Sequence, residues 1–442
     1  MYDLFIIGAG PGGYTAAVLA AKKGLKVGIA EAQGLGGTCT NRGCIPTKAY
    51  IESVNLFTRI KNASRFGIEV EMPALSLAAL VRRKERIVSR LAKGIELLLK
   101  NHAVDLYPKA AEVIDPGTVR IDGRTIQTAN LLIATGSVPK VLPLAVPQLW
   151  TSDDVFALEK TPASLIIIGG GVIGCEMAHI FSSLGTKVTV IEALDRILLT
   201  EDPEMASGLV KIMRQVDFIT GARILNIDGA GPCRVSVAAP GGTRTLEAEH
   251  VLACIGRMPS LPPGLKGLEP ALRDNGGLEV DEYMQTTLPH VYAVGDVTGV
   301  HMFAYAASKA AAVVIDHITG GGRRMSFDNI PSIVFTDPEI ASVGSVSEGC
   351  SKGTFPVSAL GRARTMETHE GFATVYADPA GRIKRISIMA PHATELIAWA
   401  SLAVDRGLSV EEFLHPHYTH PTLTEILKEA AEDLVGMSVH KA

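Results

Sequence analysis

Two stretches of this chain follow one plan: "FIIGAGPGGYTAA", Phe5 to Ala17, and "IIIGGGVIGCEMA", Ile166 to Ala178. Each is an apolar run, then G-x-G-x-x-G, then small residues suited to a closely packed helix. The glycines are Gly8, Gly10 and Gly13 in the first copy and Gly169, Gly171 and Gly174 in the second. Each copy runs on to a second apolar stretch ending in an acid, "GLKVGIAE" at Glu31 and "GTKVTVIE" at Glu192, with equal spacing from first glycine to acid. This is the dinucleotide-binding fingerprint. The glycines let the backbone turn tightly and approach a pyrophosphate. The helix N-terminus offers free amides and a positive dipole, and the acid accepts hydrogen bonds from ribose hydroxyls. A single G-x-G-x-x-G is weak, because glycine also makes ordinary turns. Two copies in full strand–turn–helix–strand context are strong.

A second echo agrees. "NLLIATGS", ending at Ser137, and "HVLACIGR", ending at Arg257, each read as a buried strand running into a glycine turn. Thr135, Gly136 and Gly256 lie in those turns. The expected architecture is α/β, with two Rossmann-like domains and a third, α+β domain. Boundaries fall at the proline-rich "SVPKVLPLAVP" and "RMPSLPPG". The reading is 1–147 for the first domain, 148–260 for the second, 261–329 for a central segment completing the first, and 330–442 for a C-terminal domain with no dinucleotide motif. Apolar residues from Leu77 to Leu98 recur at helical spacing and predict one long helix over 76–100. "HVYAVGDVTG" reads as a strand ending in Gly295-Asp296.

At 442 residues the chain is too long for one core. The formal net charge of −4 and the lack of a basic run argue against nucleic acid. No apolar run is long enough to span a membrane, and the one at Leu4 to Ile7 reads as a strand rather than a signal peptide. A cytoplasmic, reducing setting is expected. There, six cysteines do not make a structural disulfide framework, so a close pair points to catalysis or metal binding.

That pair is Cys39 and Cys44 in "GGTCTNRGCIPTK", Gly36 to Lys48. Zinc pairs usually sit two to four residues apart with a second pair elsewhere, and the other four cysteines are isolated. The C-x-x-C redox spacing is absent too. Positions five apart point to different sides of a regular helix, so a bond between them requires a distorted or pre-helical turn. Gly36, Gly37 and Gly43 permit one. Cys44 then lies near the start of a helix carrying Lys48, where the N-terminus favours a thiolate. Two dinucleotide sites and a dithiol suggest an electron relay of nicotinamide, flavin and disulfide.

With these motifs the chain resembles the flavin-dependent pyridine nucleotide–disulfide oxidoreductases, and among them the dihydrolipoamide dehydrogenases. "GGTCTNRGCIPTK", the "ATG" at Ala134 to Gly136, "GGGVIGCE", the "VGD" at Val294 to Asp296 and "HPTLTE" at His420 to Glu425 carry the resemblance along the whole chain. It implies that the first fingerprint holds FAD, with Glu31 on its adenosine ribose, Gly37 and Thr38 beside it and Asp296 on the ribityl chain. It implies that the second holds NAD. Cys44 becomes the thiolate beside the flavin, Cys39 the thiol that exchanges with substrate, and Lys48 pairs with Glu176. The C-terminal domain becomes the interface of a homodimer in which each site borrows the other subunit's His420. A dihydrolipoyl group, free or on a carrier protein of a larger complex, is the implied partner; membrane and nucleic acid are not. Chemistry agrees, because thiol–disulfide exchange needs a base and an acid near neutral pH. Glu425, five residues on, can orient His420 and stabilise its cation. "HPHYTHP" also spaces His415, His417 and His420 like metal ligands, but no cysteine or carboxylate joins them in sequence, so no metal is expected. Glu192 suits the free 2′-hydroxyl of NAD and repels a 2′-phosphate, although Arg196 follows closely.

The pattern also departs from the lipoamide enzymes. Their Ala-His-Lys-Ala run is here "FAYAASKAA", with Tyr305 and Ala306, and the residue two before His420 is Tyr418. These changes leave the relay intact and open the choice of disulfide. The alternatives are a related NAD(P)H-dependent reductase of another disulfide or metal substrate, or a non-catalytic FAD- and NAD-binding subunit. The complete set Cys39, Cys44, Lys48, His420 and Glu425 favours the enzyme.

Overall fold

The computed structural model of the chain describes residues 1–71, 74–142, 149–229 and 232–441. The expected boundary at 147/148 lies outside the described residues. The N-terminal strand Tyr2–Ile7 is central to a parallel sheet, flanked by Val27–Ala30 and by the end of Arg124–Ile133, with Asp105–Tyr107 and Val291–Ala293 further out. Every residue of that strand but Asp3 is buried. Strand alternation sends Leu4 and Ile6 to one core cluster and Phe5 and Ile7 to another. That is the pattern of a parallel sheet covered on both faces.

One cover is the helix α1 (Pro11–Lys22). It buries Gly12, Gly13, Ala16, Ala17 and Ala20, residues small enough for close approach. Short antiparallel strands, Glu112–Asp115 and Thr118–Ile121, extend the sheet's far edge.

A second sheet repeats the design. Its parallel strands run in the order Val216–Ile219, Lys187–Ile191, Ser164–Ile168, His250–Ala253, Leu149–Thr151. In its central strand Leu165 and Ile167 face one core, and Ile166 and Ile168 the other. Both sheets lead into the same turn. Gly8 N–H donates to Ala30 and Gly169 N–H to Ile191, each at 2.8 Å. Both glycines are left-handed, at φ +102° and +105°, and a Cβ on either would lie 2.3–2.4 Å from the carbonyl oxygen of Ala134 or Cys254. A Cβ on Gly13 or Gly174 would lie 1.9 Å from the Gly8 or Gly169 carbonyl oxygen. The outer glycines therefore serve the chain's own packing. The middle ones face space: a Cβ on Gly171 would meet nothing within 4 Å, and one on Gly10 only the Gly37 Cα, at 4.0 Å.

The trailing turns of the two echo segments meet, with Ser137–Pro139 pairing antiparallel to Arg257–Pro259. The long helix, α4, spans Leu77–Asn101 and is capped by the Ser76 side chain. From Ser332 onward a five-stranded antiparallel sheet, backed by helices Ala393–Arg406 and Glu425–Leu434, encloses its own core.

The two kinds of glycine should separate in thermal unfolding. Gly174→Ala forces a backbone clash and should lower Tm by about 3 °C or more, whereas Gly171→Ala should leave it within about 1 °C. Equal shifts would show that the two glycines do not differ in this way.

Candidate active site

The stretch containing both cysteines folds as two helices rather than one. α2 (Gly37–Arg42) carries Cys39, and α3 (Cys44–Lys61) begins at Cys44. Gly43, at φ −131° and ψ −110°, breaks the helical path between them. The two sulfur positions thus escape the divergence of a regular helix. The start of α2 lies against the first dinucleotide turn. Gly36 N–H donates to the Ala9 carbonyl at 2.8 Å. Gly37, at φ +58°, is so near that a Cβ on it would lie 2.8 Å from the Gly10 Cα.

Cys39 and Cys44 are free thiols, Cys39 half-buried and Cys44 exposed on one side. Their hydrogen bond divides the proton unequally. Cys39 keeps it, raised by donating to Cys44 and by burial. Cys44 is drawn down to about 7, first by that hydrogen bond and then, against the effect of burial, by the nearby Lys48 ammonium. Lys48 is held at 2.9 Å from both oxygens of Glu176, a buried residue on α5 (Val172–Ser183). Glu176 also accepts from the Phe335 N–H at 3.0 Å, and Lys48 lies 4.4 Å from the centre of the Phe335 ring. Sequence reasoning missed Phe335, an ordinary apolar residue contributing a backbone amide. It also missed a second bolt between α3 and α5, where His179 Nε2 meets Asn55 Oδ1 at 2.7 Å.

Both fingerprint acids sit alike. Glu31 accepts from the amides of Ala9 at 2.7 Å and Gln33 at 2.7 Å; Glu192 accepts from Gly170 at 2.7 Å and Leu194 at 2.9 Å. Carboxylate lone pairs remain for ribose hydroxyls. α1 and α5 start at Gly10 and Gly171 with no capping side chain, so their first amides are available to a pyrophosphate. Both turns therefore fit dinucleotides. Asp296, just after the strand Val291–Ala293, accepts from Ser137 Oγ at 2.5 Å. Burial pushes its carboxyl up, opposed by Ser137 and Arg257. Gly136, Gly256 and Gly295 all turn in left-handed backbone, and Thr135 donates to the Ser260 carbonyl.

A cavity of about 630 Å³ opens beside the dithiol, with Cys39, Tyr14, Arg90, Leu91, Leu98 and Tyr305 in its wall. Burial, and next the nearby Cys44, push the Tyr305 phenol up, and its hydroxyl donates to the Pro331 carbonyl.

His420 and Glu425 form a separate cluster. His420 Nδ1 lies 2.9 Å from Glu425 Oε1, and Glu425 Oε2 accepts from Thr422 N–H at 2.8 Å. Although burial opposes it, that N–H and His420 hold the Glu425 carboxyl below its usual range. The His420 side chain is 75% exposed. Among the described residues, no hydrogen bond or ion pair joins this cluster to the dithiol of the same chain.

The chain matches the model of the pyridine nucleotide-disulphide oxidoreductase family over residues 2–311, and that family's dimerisation domain over 330–431. It belongs to this family, and its class is that of the oxidoreductases. It is 38% identical to a dihydrolipoamide dehydrogenase of Chaetomium thermophilum, covering 99% of this chain and 92% of the relative. It is 36% identical to a dihydrolipoyl dehydrogenase of Bacillus subtilis, covering 99% of each. Among solved structures, LpdA of Mycobacterium tuberculosis superposes with a TM-score of 0.88 at 29% identity, covering 98% of this chain and 99% of the other. The HOCl-induced flavoprotein disulfide reductase RclA of Escherichia coli gives 0.87 at 28%, with the same coverage. No helix among the described residues is long and apolar enough to cross a membrane.

Alkylation of the reduced protein by iodoacetamide should single out Cys44, with a rate that rises with pH around an inflection at about 7. Cys175 and Cys254, whose thiols burial pushes up, should stay unmodified. A Cys44 inflection at the ordinary thiol value, read by mass spectrometry, would remove the assigned thiolate.

Proposed function

We propose that this protein is a homodimeric, FAD-dependent dihydrolipoamide dehydrogenase of a reducing cytoplasm, acting on free or carrier-bound dihydrolipoyl groups with NAD as acceptor. The observation that supports it most is the cysteine pair laid on the first dinucleotide turn, with one sulfur poised as thiolate and the other on a cavity wall. A substrate thiolate attacks Cys39 Sγ of the Cys39–Cys44 disulfide and Cys44 leaves as thiolate, giving a mixed disulfide. The second substrate thiol, deprotonated by His420 of the other subunit, attacks its own bonded sulfur and releases Cys39. The substrate leaves as a disulfide, and Cys39 and Cys44 hold its two electrons. FAD, when bound, supplies transfer of that electron pair between the dithiol and a nicotinamide. Glu31 and Asp296 hold the adenosine ribose and the ribityl chain. Gly8, Gly10, Gly13, Gly37, Thr38, Thr135, Gly136 and Gly295 shape the same cradle. Gly169, Gly171, Gly174, Glu192 and Gly256 shape the NAD site. Lys48, fixed by Glu176, supplies positive charge beside Cys44. Glu425 keeps His420 oriented and stabilises its cation.

A second reading, an NAD(P)H-dependent reductase of another disulfide, is favoured by Tyr305 in the wall of the dithiol cavity. One assay separates the two. Purified enzyme with saturating dihydrolipoamide and NAD should turn over at about ten per second or more. His420→Gln should slow this about a hundredfold while NADH still reduces the flavin. Turnover far below that in the unaltered enzyme, with rapid flavin reduction by NADH, would favour the second reading.

The Arg196 guanidinium is turned onto its own loop, donating to the carbonyls of Glu201 at 2.8 Å and Leu199 at 3.0 Å. It is therefore not poised for a 2′-phosphate, and Glu192 opposes one. We expect kcat/KM for NAD to exceed that for NADP by about a hundredfold or more. Equal values in steady-state kinetics would overturn the NAD assignment.

A further inference from the structure

Arg42 lies between the two cysteines, at the last position of α2. Its Nε is buried without a hydrogen bond and faces the Asp153 carboxylate at 3.4 Å, a Coulombic contact rather than an aligned bond. Asp153 follows the strand Leu149–Thr151, the edge strand of the second parallel sheet. Its other oxygen meets Arg257 Nη1, also at 3.4 Å. Arg257 donates from Nε to Ser137 Oγ at 2.8 Å and from Nη2 to the Ser137 carbonyl at 2.9 Å. Ser137 Oγ in turn donates to Asp296. A polar path thus runs from inside the cysteine turn, through the second sheet's edge, to the carboxylate assigned to the ribityl chain.

α2 has six residues, far too few to hold its shape alone. Its start is fixed to the first dinucleotide turn through Gly36 and Ala9. Within it, Asn41 Nδ2 donates to the carbonyls of Leu35 at 3.0 Å and Gly37 at 2.8 Å. At its end the next residue is Gly43, where the backbone is most permissive. The Gly43 carbonyl accepts from Thr47 Oγ1 at 2.7 Å and Thr47 N–H at 3.1 Å, which ties that end to α3, and the Arg42–Asp153 contact ties it to the second sheet.

We propose that Arg42 is a positioning residue for the redox pair: through Asp153 it fixes the end of α2 to the nicotinamide-side unit, and so holds Cys39 over Cys44. The proposal rests on Cys39 and Cys44 being the redox pair. Loss of either partner lowers the effective concentration of one sulfur at the other, and the dithiol gains over the disulfide. The test uses full-length, flavin-loaded protein equilibrated without oxygen in dithiothreitol buffers of graded ratio. Cys39–Cys44 oxidation is read by alkylation and mass spectrometry. Arg42→Val and Asp153→Asn should each shift the equilibrium about three- to tenfold toward the dithiol, a tenfold shift being about 30 mV for a two-electron couple. The double variant should shift no further than the larger single effect, because the two act as a unit. Flavin content, from absorbance, should match the parent and confirm folding. Both single variants within twofold of the parent, or fully additive shifts, would overturn the tether while leaving the redox pair standing. A parent protein in which Cys39 and Cys44 never pair would overturn both.

Discussion

One buried carboxylate joins the parts of this molecule. Glu176 rises from the second dinucleotide unit, takes the Lys48 ammonium from the helix that starts at Cys44, and accepts the Phe335 amide from beside the antiparallel sheet. Three regions of the chain thus converge on two oxygens. The Glu176 side chain is 5% exposed and that of Lys48 30%, so loss of Lys48 would leave a buried carboxylate with the Phe335 amide as its remaining partner. The same Lys48 charge helps lower the Cys44 thiol. The contact that ties these regions together thus bears on the Cys44 thiol as well.

The duplicated turn shows how one solution is adapted to two uses. In both copies the outer glycines are consumed by the chain's own packing, and the middle glycine borders open space. The copies differ in what lies over that face. In the first, Gly37 of the cysteine turn approaches Gly10; in the second, a Cβ on Gly171 would meet nothing within 4 Å. A dinucleotide in the first turn would lie under the redox helix, which suits a resident group. One in the second would meet an open face, which suits a group that must come and go.

How much of this was readable in the sequence follows from the range of each interaction. The fingerprints were legible because strand, turn, helix and acid lie within one βαβ unit and obey local rules. His420 and Glu425, five residues apart, were legible as a pair, and the structure places them 2.9 Å apart. The break at Gly43 was legible as a need for distortion, though not as two separate helices. The path Arg42–Asp153–Arg257–Ser137–Asp296 was not legible. Its members are spread over 250 residues, and each alone is an ordinary polar residue near a turn. Phe335 was hidden because it acts through its backbone, which every residue carries.

The two tyrosine departures, equal as sequence changes, are unequal as structure. Tyr418 turns inward: its hydroxyl donates to the Phe413 carbonyl at 2.8 Å, its ring packs edge-on to Phe413, and Trp399 Nε1 donates back at 3.4 Å. It braces the loop that carries His420. Tyr305 stands instead in the wall of the cavity that holds Cys39, and its phenol feels the charge of Cys44. A substrate entering that cavity would meet the Tyr305 ring, stacked on Phe303. A phenol held neutral by burial exchanges no proton near pH 7, so this wall offers shape and a hydroxyl rather than a second acid–base group. On the proposed reading, proton transfer in the exchange reaction would then fall to His420, and the choice among disulfides to the cavity around Tyr305.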